Sequence, residues 1–175
     1  MRRSALVVAA AALSMILFAP TQGSAVQPAT IIAFETMYGV DGPFLLENHH
    51  PIRHIKGDEL PWEIESASGF VDVTGHVVVH VRGLVFKDDP SVPVNLRGTN
   101  DAAQFRAVVS CITEASEEDT KLAKATTPGF AATTGGDADI DAMVELPNPC
   151  IAPIVLILPG DEKLWFAVTG FEAEE

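Results

Sequence analysis

Residues 76–86, with the sequence HVVVHVRGLVF, constrain the fold most strongly because their pattern repeats with a period of two. Val77, Val79 and Val81 fall on one side of an extended chain, and mostly polar side chains fall on the other. β-Branched residues in this alternation are typical of a half-buried strand, since successive side chains point to opposite faces of a sheet. Gly83 indicates a bulge or a close backbone approach.

The rest of the chain extends this pattern to an all-β prediction. Alternating or apolar segments are separated by turns rich in Gly and Pro, and no confident long helix pattern interrupts them. The predicted strands lie in residues 30–37, 62–65, 70–73, 76–86, 103–113, 125–133, 139–146, 151–158 and 163–171. About seven to nine short strands with frequent turn signals are typical of an antiparallel β-sandwich, either immunoglobulin-like or jelly-roll-like.

Three segments are predicted to lie outside the strands. Residues 38–61 contain Gly and Pro at a density that predicts a long and mostly irregular connection. The Pro and Gly residues of segment 87–102 predict a second long loop. Residues 114–124 are charged and are compatible with an exposed loop or a short helix.

The N-terminal residues predict export. Residues 2–3 are arginines, residues 5–18 form an almost unbroken apolar run, and residues 23–25 are small. A positive start, an apolar core and a small-residue exit are the three parts of a secretory signal peptide. We therefore expect a cleaved signal over residues 1–25 and a single all-β domain over residues 26–175. The general secretory route is favoured over the twin-arginine route, because no strong consensus surrounds the arginines.

Export implies a secreted or extracytoplasmic protein. The apolar run is shorter than the roughly 20 residues that a membrane-spanning helix requires, so an uncleaved anchor is the disfavoured alternative. No second long apolar run follows it, and no membrane span is expected after cleavage. The chain contains 24 Asp and Glu against 11 Lys and Arg, with a net charge of −13. Such a surface repels nucleic acids and anionic membranes.

Two cysteines, Cys111 and Cys150, lie in the part predicted to be exported. Because disulfides persist in oxidising compartments, we expect the two to pair, joining the strand in residues 103–113 to the start of the strand in residues 151–158. A catalytic thiol is the alternative. It would need a matching histidine and electropositive surroundings, which this acidic chain does not suggest.

Five histidines raise the question of a metal site. His49, His50 and His54 cluster in the long connection and are weak candidates for metal ligands. His76 and His80 are four residues apart on a strand, about 13 Å, which is too far to share one zinc ion at roughly 2 Å from each nitrogen. We expect these histidines to be solvent-facing, with no metal and no cofactor.

Other motifs do not reach the level of a site. The acids of residues 137–141 resemble the start of a calcium loop, but Ala142 and Asn148 stand where an EF-hand needs Gly and Glu, so they are better explained as the exposed face of a strand. No nucleophile elbow or phosphate loop occurs, and Ser110 lies within a strand. Carboxylate pairs for glycoside cleavage cannot be identified, since acids lie throughout the chain.

Large aromatic residues are the remaining candidates for a ligand site. Trp62, Trp165 and Phe166 are able to line a cleft, although aromatic residues at strand positions are more often part of the core.

Several stretches together resemble a group of short exported bacterial proteins of the actinobacterial type. They are NHHPIRHIKGDELPWEI at residues 48–64, GHVVVHVRGLV, FRAVVSC, PNPCIAPIVLIL and WFAVTGF. The group tends to read N-P-I-R-G where this chain has His50 and His54, so the resemblance implies no shared role for these histidines. It implies no activity, ligand or cofactor either.

The sequence favours a non-catalytic exported β-sandwich that acts through its surface, with a protein or cell-envelope partner that remains unidentified. A secreted hydrolase is the first alternative, with its site in the 38–61 and 87–102 loops. A metal-binding protein that uses His49, His50 and His54 is the second. A deep polar cleft would favour the hydrolase, and flat sheet faces would favour the binding module.

Overall fold

In the computed structural model, the described residues are 27–115, 120–160 and 164–171, so the predicted signal peptide lies outside them. They form twelve strands and two short 3-10 helices, Gly42–Phe44 and Leu46–Asn48. The strands are β1 (Thr30–Phe34), β2 (Met37–Gly39), β3 (Trp62–Glu63), β4 (Ser66–Asp72), β5 (His76–Arg82), β6 (Val85–Phe86), β7 (Gln104–Ala115), β8 (Thr120–Thr126), β9 (Phe130–Ala131), β10 (Ala138–Met143), β11 (Ile151–Pro159) and β12 (Ala167–Thr169).

Two antiparallel sheets contain most of these strands. The smaller sheet has the order β1-β4-β5-β10, and the larger has the order β2-β12-β11-β7-β8, with β9 paired to the start of β7. Strands β3 and β6 form a separate pair. Buried hydrophobic residues from both sheets belong to one core cluster. The predicted all-β, antiparallel, sandwich-like fold is confirmed.

Strand β5 has the two faces that its sequence predicts. Val77, Val79 and Val81 are fully buried, and each of them stands opposite a residue of β10. Burial of one such side chain contributes about 1.5–3 kcal/mol relative to its exposure to water, which explains why one face of β5 is uniformly apolar. Gly83 follows the strand with a φ of 64°, and a Cβ there would lie 2.7 Å from the Cβ of Glu65. The predicted close approach is therefore present.

The first predicted strand, residues 30–37, is two strands. β1 pairs with β4 in the smaller sheet, whereas β2 pairs with β12 in the larger sheet. The chain therefore crosses from one sheet to the other at residues 35–36. The phase of burial changes at this crossing, from Ile32 and Phe34 in β1 to Met37 and Gly39 in β2, and local pattern alone does not specify which sheet a strand joins.

The prediction of a loop or short helix over residues 114–124 is wrong for its described part. Glu114 and Ala115 complete β7, residues 116–119 lie outside the described residues, and residues 120–124 belong to β8. Strand β8 is at the edge of the larger sheet, where charged side chains remain in water and also prevent pairing with another chain. Lys121 pairs with Glu114 across the two strands.

Other predicted strands are shorter or divided in the structure. Residues 76–86 contain β5 and β6, which belong to different sheets, and the strand predicted over residues 139–146 ends at Met143. The segment at residues 62–65 is a strand only over Trp62–Glu63, and the one at residues 163–171 is a strand only over Ala167–Thr169. Just before β12, Trp165 makes an isolated parallel bridge with Gly57. This bridge ties the long connection to the larger sheet.

The disulfide between Cys111 and Cys150 is present, as predicted. Cys111 is fully buried in β7, and Cys150 directly precedes β11. The two Cα atoms are 4.8 Å apart, and the residues are 39 positions apart in sequence. The bond closes a loop that includes β8, β9 and β10.

We predict that the double variant C111A/C150A loses about 4 kcal/mol of unfolding free energy, because the bond restricts a loop of that length in the unfolded chain. Urea unfolding of the two proteins measures the difference, and reduction of the wild type should reproduce it. Two titratable thiols in the exported wild-type protein, or a loss well below 1 kcal/mol, would contradict the prediction.

Candidate functional site

A cavity of about 680 Å³ lies where several loops and strand ends of the sandwich meet. Its lining comes from residues 58–62, from Phe86 and Leu96, from residues 101–104, and from the end of β11 with Phe166. The 38–61 and 87–102 loops both contribute to this lining, as the hydrolase alternative requires of its site. The cavity is therefore the candidate functional site.

Aromatic rings form its apolar wall. Trp62 is 1% exposed, and its ring lies between Phe86 and Phe166, with centroid distances of 4.2 Å and 3.9 Å. Pairing of β3 with β6 sets Trp62 opposite Phe86, and the Trp62 amide donates to the carbonyl of Val40 at 2.8 Å. Trp62 and Phe166 are thus core residues that also line the cavity. The two interpretations of these aromatic residues, as core and as the wall of a cleft, therefore both apply. Trp165 is fully buried and does not line this cavity.

Asp58 links the aromatic wall to the polar part of the cavity. The indole Nε1 of Trp62 donates to the Asp58 Oδ2 at 2.7 Å. The Asp58 amide donates to the carbonyl of Trp165, and the Asp58 carbonyl accepts from the amide of Leu46, so the backbone is fixed on both sides. Burial raises the pKa of the Asp58 carboxyl above its usual range, although hydrogen bonds from Trp62 and from the backbone of residues 59 and 60 oppose this shift.

The rim of the cavity is acidic. Glu59 and Asp101 are exposed and join Asp58 on the lining, and Gln104 adds a neutral amide. None of the described lining residues is Lys, Arg or His. Three carboxyl groups with no basic side chain among the described lining residues create a local negative potential, which the net charge of the chain reinforces.

The lining limits the chemistry that this site is able to perform. Among its described residues there is no Ser, Thr, Cys or His, so nucleophilic catalysis of the Ser–His or Cys–His type has no candidates there. Ser110 lies elsewhere, fully buried in β7, and its Oγ has no hydrogen-bond partner in the described part of the chain. The cavity presents carboxylates, an amide and apolar surface, which are groups that bind and orient a ligand.

The three loop histidines do not form part of a metal-ligand set. His49 and His54 have left-handed backbone conformations, with φ of 56° and 62°, and both are exposed, as is His50. Across the described ranges, no group of three His, Cys, Asp or Glu side chains is placed to hold a metal ion. His54 instead occupies the tip of a short hairpin that the backbones of Ile52 and Ile55 close with two hydrogen bonds of 2.9 Å.

The strand histidines pair with aspartates. The side chains of His76 and Asp141 meet at 2.8 Å, and those of His80 and Asp139 also meet at 2.8 Å. Arg82 donates to Asp139 at 2.7 Å, and these contacts hold the pKa of Asp139 below its usual range. Asp139 and Asp141 therefore lie on the exposed face of β10, as predicted, and engage the neighbouring strand β5.

Asp58 is the site residue that sequence reasoning missed. Acidic residues occur throughout the chain, so one more aspartate in a Gly- and Pro-rich connection is not distinctive. The only local signal is a tryptophan four residues later, and that spacing is not specific to any site. Burial of the carboxyl depends on the contact of the connection with the larger sheet, which appears only in the fold.

Comparisons with known proteins identify no relative. The chain matches no protein-family model, and neither the curated proteins nor the solved structures include a significant match. No helix within the described parts of the chain is both long and apolar enough to cross a membrane. The site must therefore be interpreted from its own chemistry.

We predict a pH-dependent difference in stability between the wild type and D58N. Because burial raises the folded-state pKa of Asp58 above 3.8, the folded protein binds this proton more tightly than the unfolded chain does. The contribution of Asp58 to stability is therefore fully present below pH 3.8 and is lost as the pH rises through the raised pKa.

Urea unfolding across the acidic range measures this effect. The unfolding free energy of the wild type minus that of D58N should fall as the pH rises and then become constant. A difference that stays flat or increases with pH would show that the carboxyl is not desolvated.

Proposed function

We propose that the protein is an exported, non-catalytic β-sandwich that acts as a binding module outside the cytoplasm. The observation that supports this proposal best is the meeting of two long loops at one cavity of about 680 Å³, whose wall belongs to the core. Sites for small ligands typically enclose about 300–1,000 Å³ and combine apolar walls with a few polar groups. Because Trp62 and Phe166 are fixed by packing, the wall is preorganised for a ligand.

The rim indicates the charge of the ligand. Asp58, Glu59 and Asp101 face the cavity without a basic lining residue among those described. Bringing an anion to this rim would add like-charge repulsion, whereas a cation would offset the repulsion among the carboxylates. The proposed ligand is therefore a small molecule with a positive charge and an apolar or sugar-like body that contacts the wall.

One observation supports a location outside the cytoplasm. The Cys111–Cys150 disulfide, in which Cys111 is fully buried, is of the kind that persists in oxidising compartments. The predicted signal peptide over residues 1–25 agrees with this location.

A secreted hydrolase is the second candidate, and one observation favours it. A carboxyl whose pKa is raised inside a cavity is suited to act as a general acid. However, the Asp58 carboxyl accepts the indole N–H of Trp62 at 2.7 Å, and this bond ties it to the aromatic wall. That contact fits an anchoring and binding role better than proton transfer.

We predict that the exported full-length protein binds cationic probes, namely spermidine and glucosamine, and not glucose as the neutral control. Isothermal titration at low ionic strength measures affinity, and tryptophan fluorescence reports on the wall that contains Trp62. The variant E59Q/D101N should weaken binding about fivefold or more, since two carboxylates of the rim lose their charge.

The variant E35Q/E145Q is the matched control, because it removes two exposed carboxylates outside the lining. Equal affinity of the probes for both double variants would show that the whole acidic surface attracts them and that the rim of the cavity does not do so specifically. That result would contradict the proposed site. Cleavage of chromogenic glycosides by the wild type, lost in D58N, would instead establish the hydrolase.

A further inference from the structure

Positive charge is distributed unevenly over this acidic protein. Four basic side chains within the described residues pair with carboxylates: Arg82 with Asp139, Lys87 with Asp41, Arg97 with Asp88 and Lys121 with Glu114. Arg53, Lys56, Arg106 and Lys124 have no carboxylate partner in the described part of the chain. Acidic residues outnumber basic ones by 13, so these four cations do not lack partners because carboxylates are scarce.

Two of these four cations, Arg106 and Lys124, lie at one place on the larger sheet. Arg106 and Lys124 line a cavity of about 290 Å³, together with His54 from the hairpin and Thr126 from β8. Lys124 is opposite Ser110 and Thr126 is opposite Val108 in the register of β7 and β8. The side chains of Arg106, Val108 and Ser110 share one face of β7, so the strand pairing brings Arg106, Lys124 and Thr126 to the same side of the sheet.

This cavity lacks any anionic group of its own. Its described lining contains no Asp or Glu, and its remaining members are apolar. The Arg106 Nε is buried and has no hydrogen-bond partner among the residues that the structure describes. Desolvation lowers the pKa of Lys124, with no carboxylate to oppose the effect. A guanidinium N–H left without an acceptor is costly, because a buried donor normally retains a partner.

We propose that this cavity binds a small oxyanion, namely a phosphate, sulfate or carboxylate group, with Arg106 and Lys124 as its charged ligands and His54 and Thr126 as further hydrogen-bond donors. The donors come from the hairpin, β7 and β8, so they are able to surround one anionic group. Arg and Lys bind oxyanions through charge-assisted hydrogen bonds, and Arg is able to do so in a bidentate manner.

The size and surroundings of the cavity define the class of ligand. About 290 Å³ accommodates one anionic group and a short attachment, at the small end of ligand sites. An extended polyanion would also contact the acidic remainder of the surface, where it would be repelled. The site therefore suits a compact anion and differs in location and charge from the acidic cavity, so either proposal stands or fails independently of the other.

The test uses the exported full-length protein and three probes, inorganic phosphate, sulfate and acetate, at low ionic strength with chloride as the background anion. Isothermal titration should show saturable binding of at least one probe, and the order of affinities distinguishes a tetrahedral oxyanion from a carboxylate. R106M and K124M keep much of the aliphatic stem, and each should raise the Kd about tenfold or more because one charge-assisted bond is lost.

K121M is the matched control, since Lys121 lies on the same strand but pairs with Glu114 and does not line the cavity. It should change the Kd less than about twofold. If R106M fails to fold, K124M still gives the answer, because Lys124 is exposed and its substitution leaves the core intact. Absence of saturable binding by all three probes, or equal affinities for K124M and K121M, would overturn the proposal.

Discussion

Burial of one face of β7 in the core that both sheets share is the constraint on which the rest of the structure depends. Phe105, Ala107, Val109 and Cys111 alternate along this strand and are all fully buried. β7 pairs with β11 along one edge and with β8 and β9 along the other, and Cys111 joins it covalently to the residue before β11. The register of a strand fixed in this way is strongly specified, because a shift by one residue would turn Arg106, which is only half-buried, towards the core.

Both cavities follow from this arrangement. Gln104, at the start of β7, reaches the acidic cavity beside the end of β11, whereas Arg106, two residues further along the same face, contributes to the basic one. The two cavities therefore share a rigid support while differing in the sign of their charge. Loops supply the remaining polar groups, as is common where a sandwich provides the scaffold and its connections provide the contacts.

The features that follow from burial were predictable, and those that depend on long-range register were not. The valines of β5 were predicted because a half-buried strand must alternate, and the cysteine pair because of the expected compartment. The crossing at residues 35–36 and the edge strand β8 were not predicted, because local pattern does not identify a strand's partner. Likewise, Arg106 and Lys124 line one cavity only because of the register of β7 with β8. The Asp58 carboxyl is desolvated only because the long connection packs against the larger sheet.

Native-state hydrogen exchange, resolved by residue, tests the central role of β7 most directly. The backbone amides of β7 and β11 that bond to each other should exchange only through global unfolding, whereas those of residues 52–60 and 96–102 should exchange by local opening. Protection of β7 amides well below the global unfolding free energy, with the slowest exchange in another part of the chain, would contradict this account.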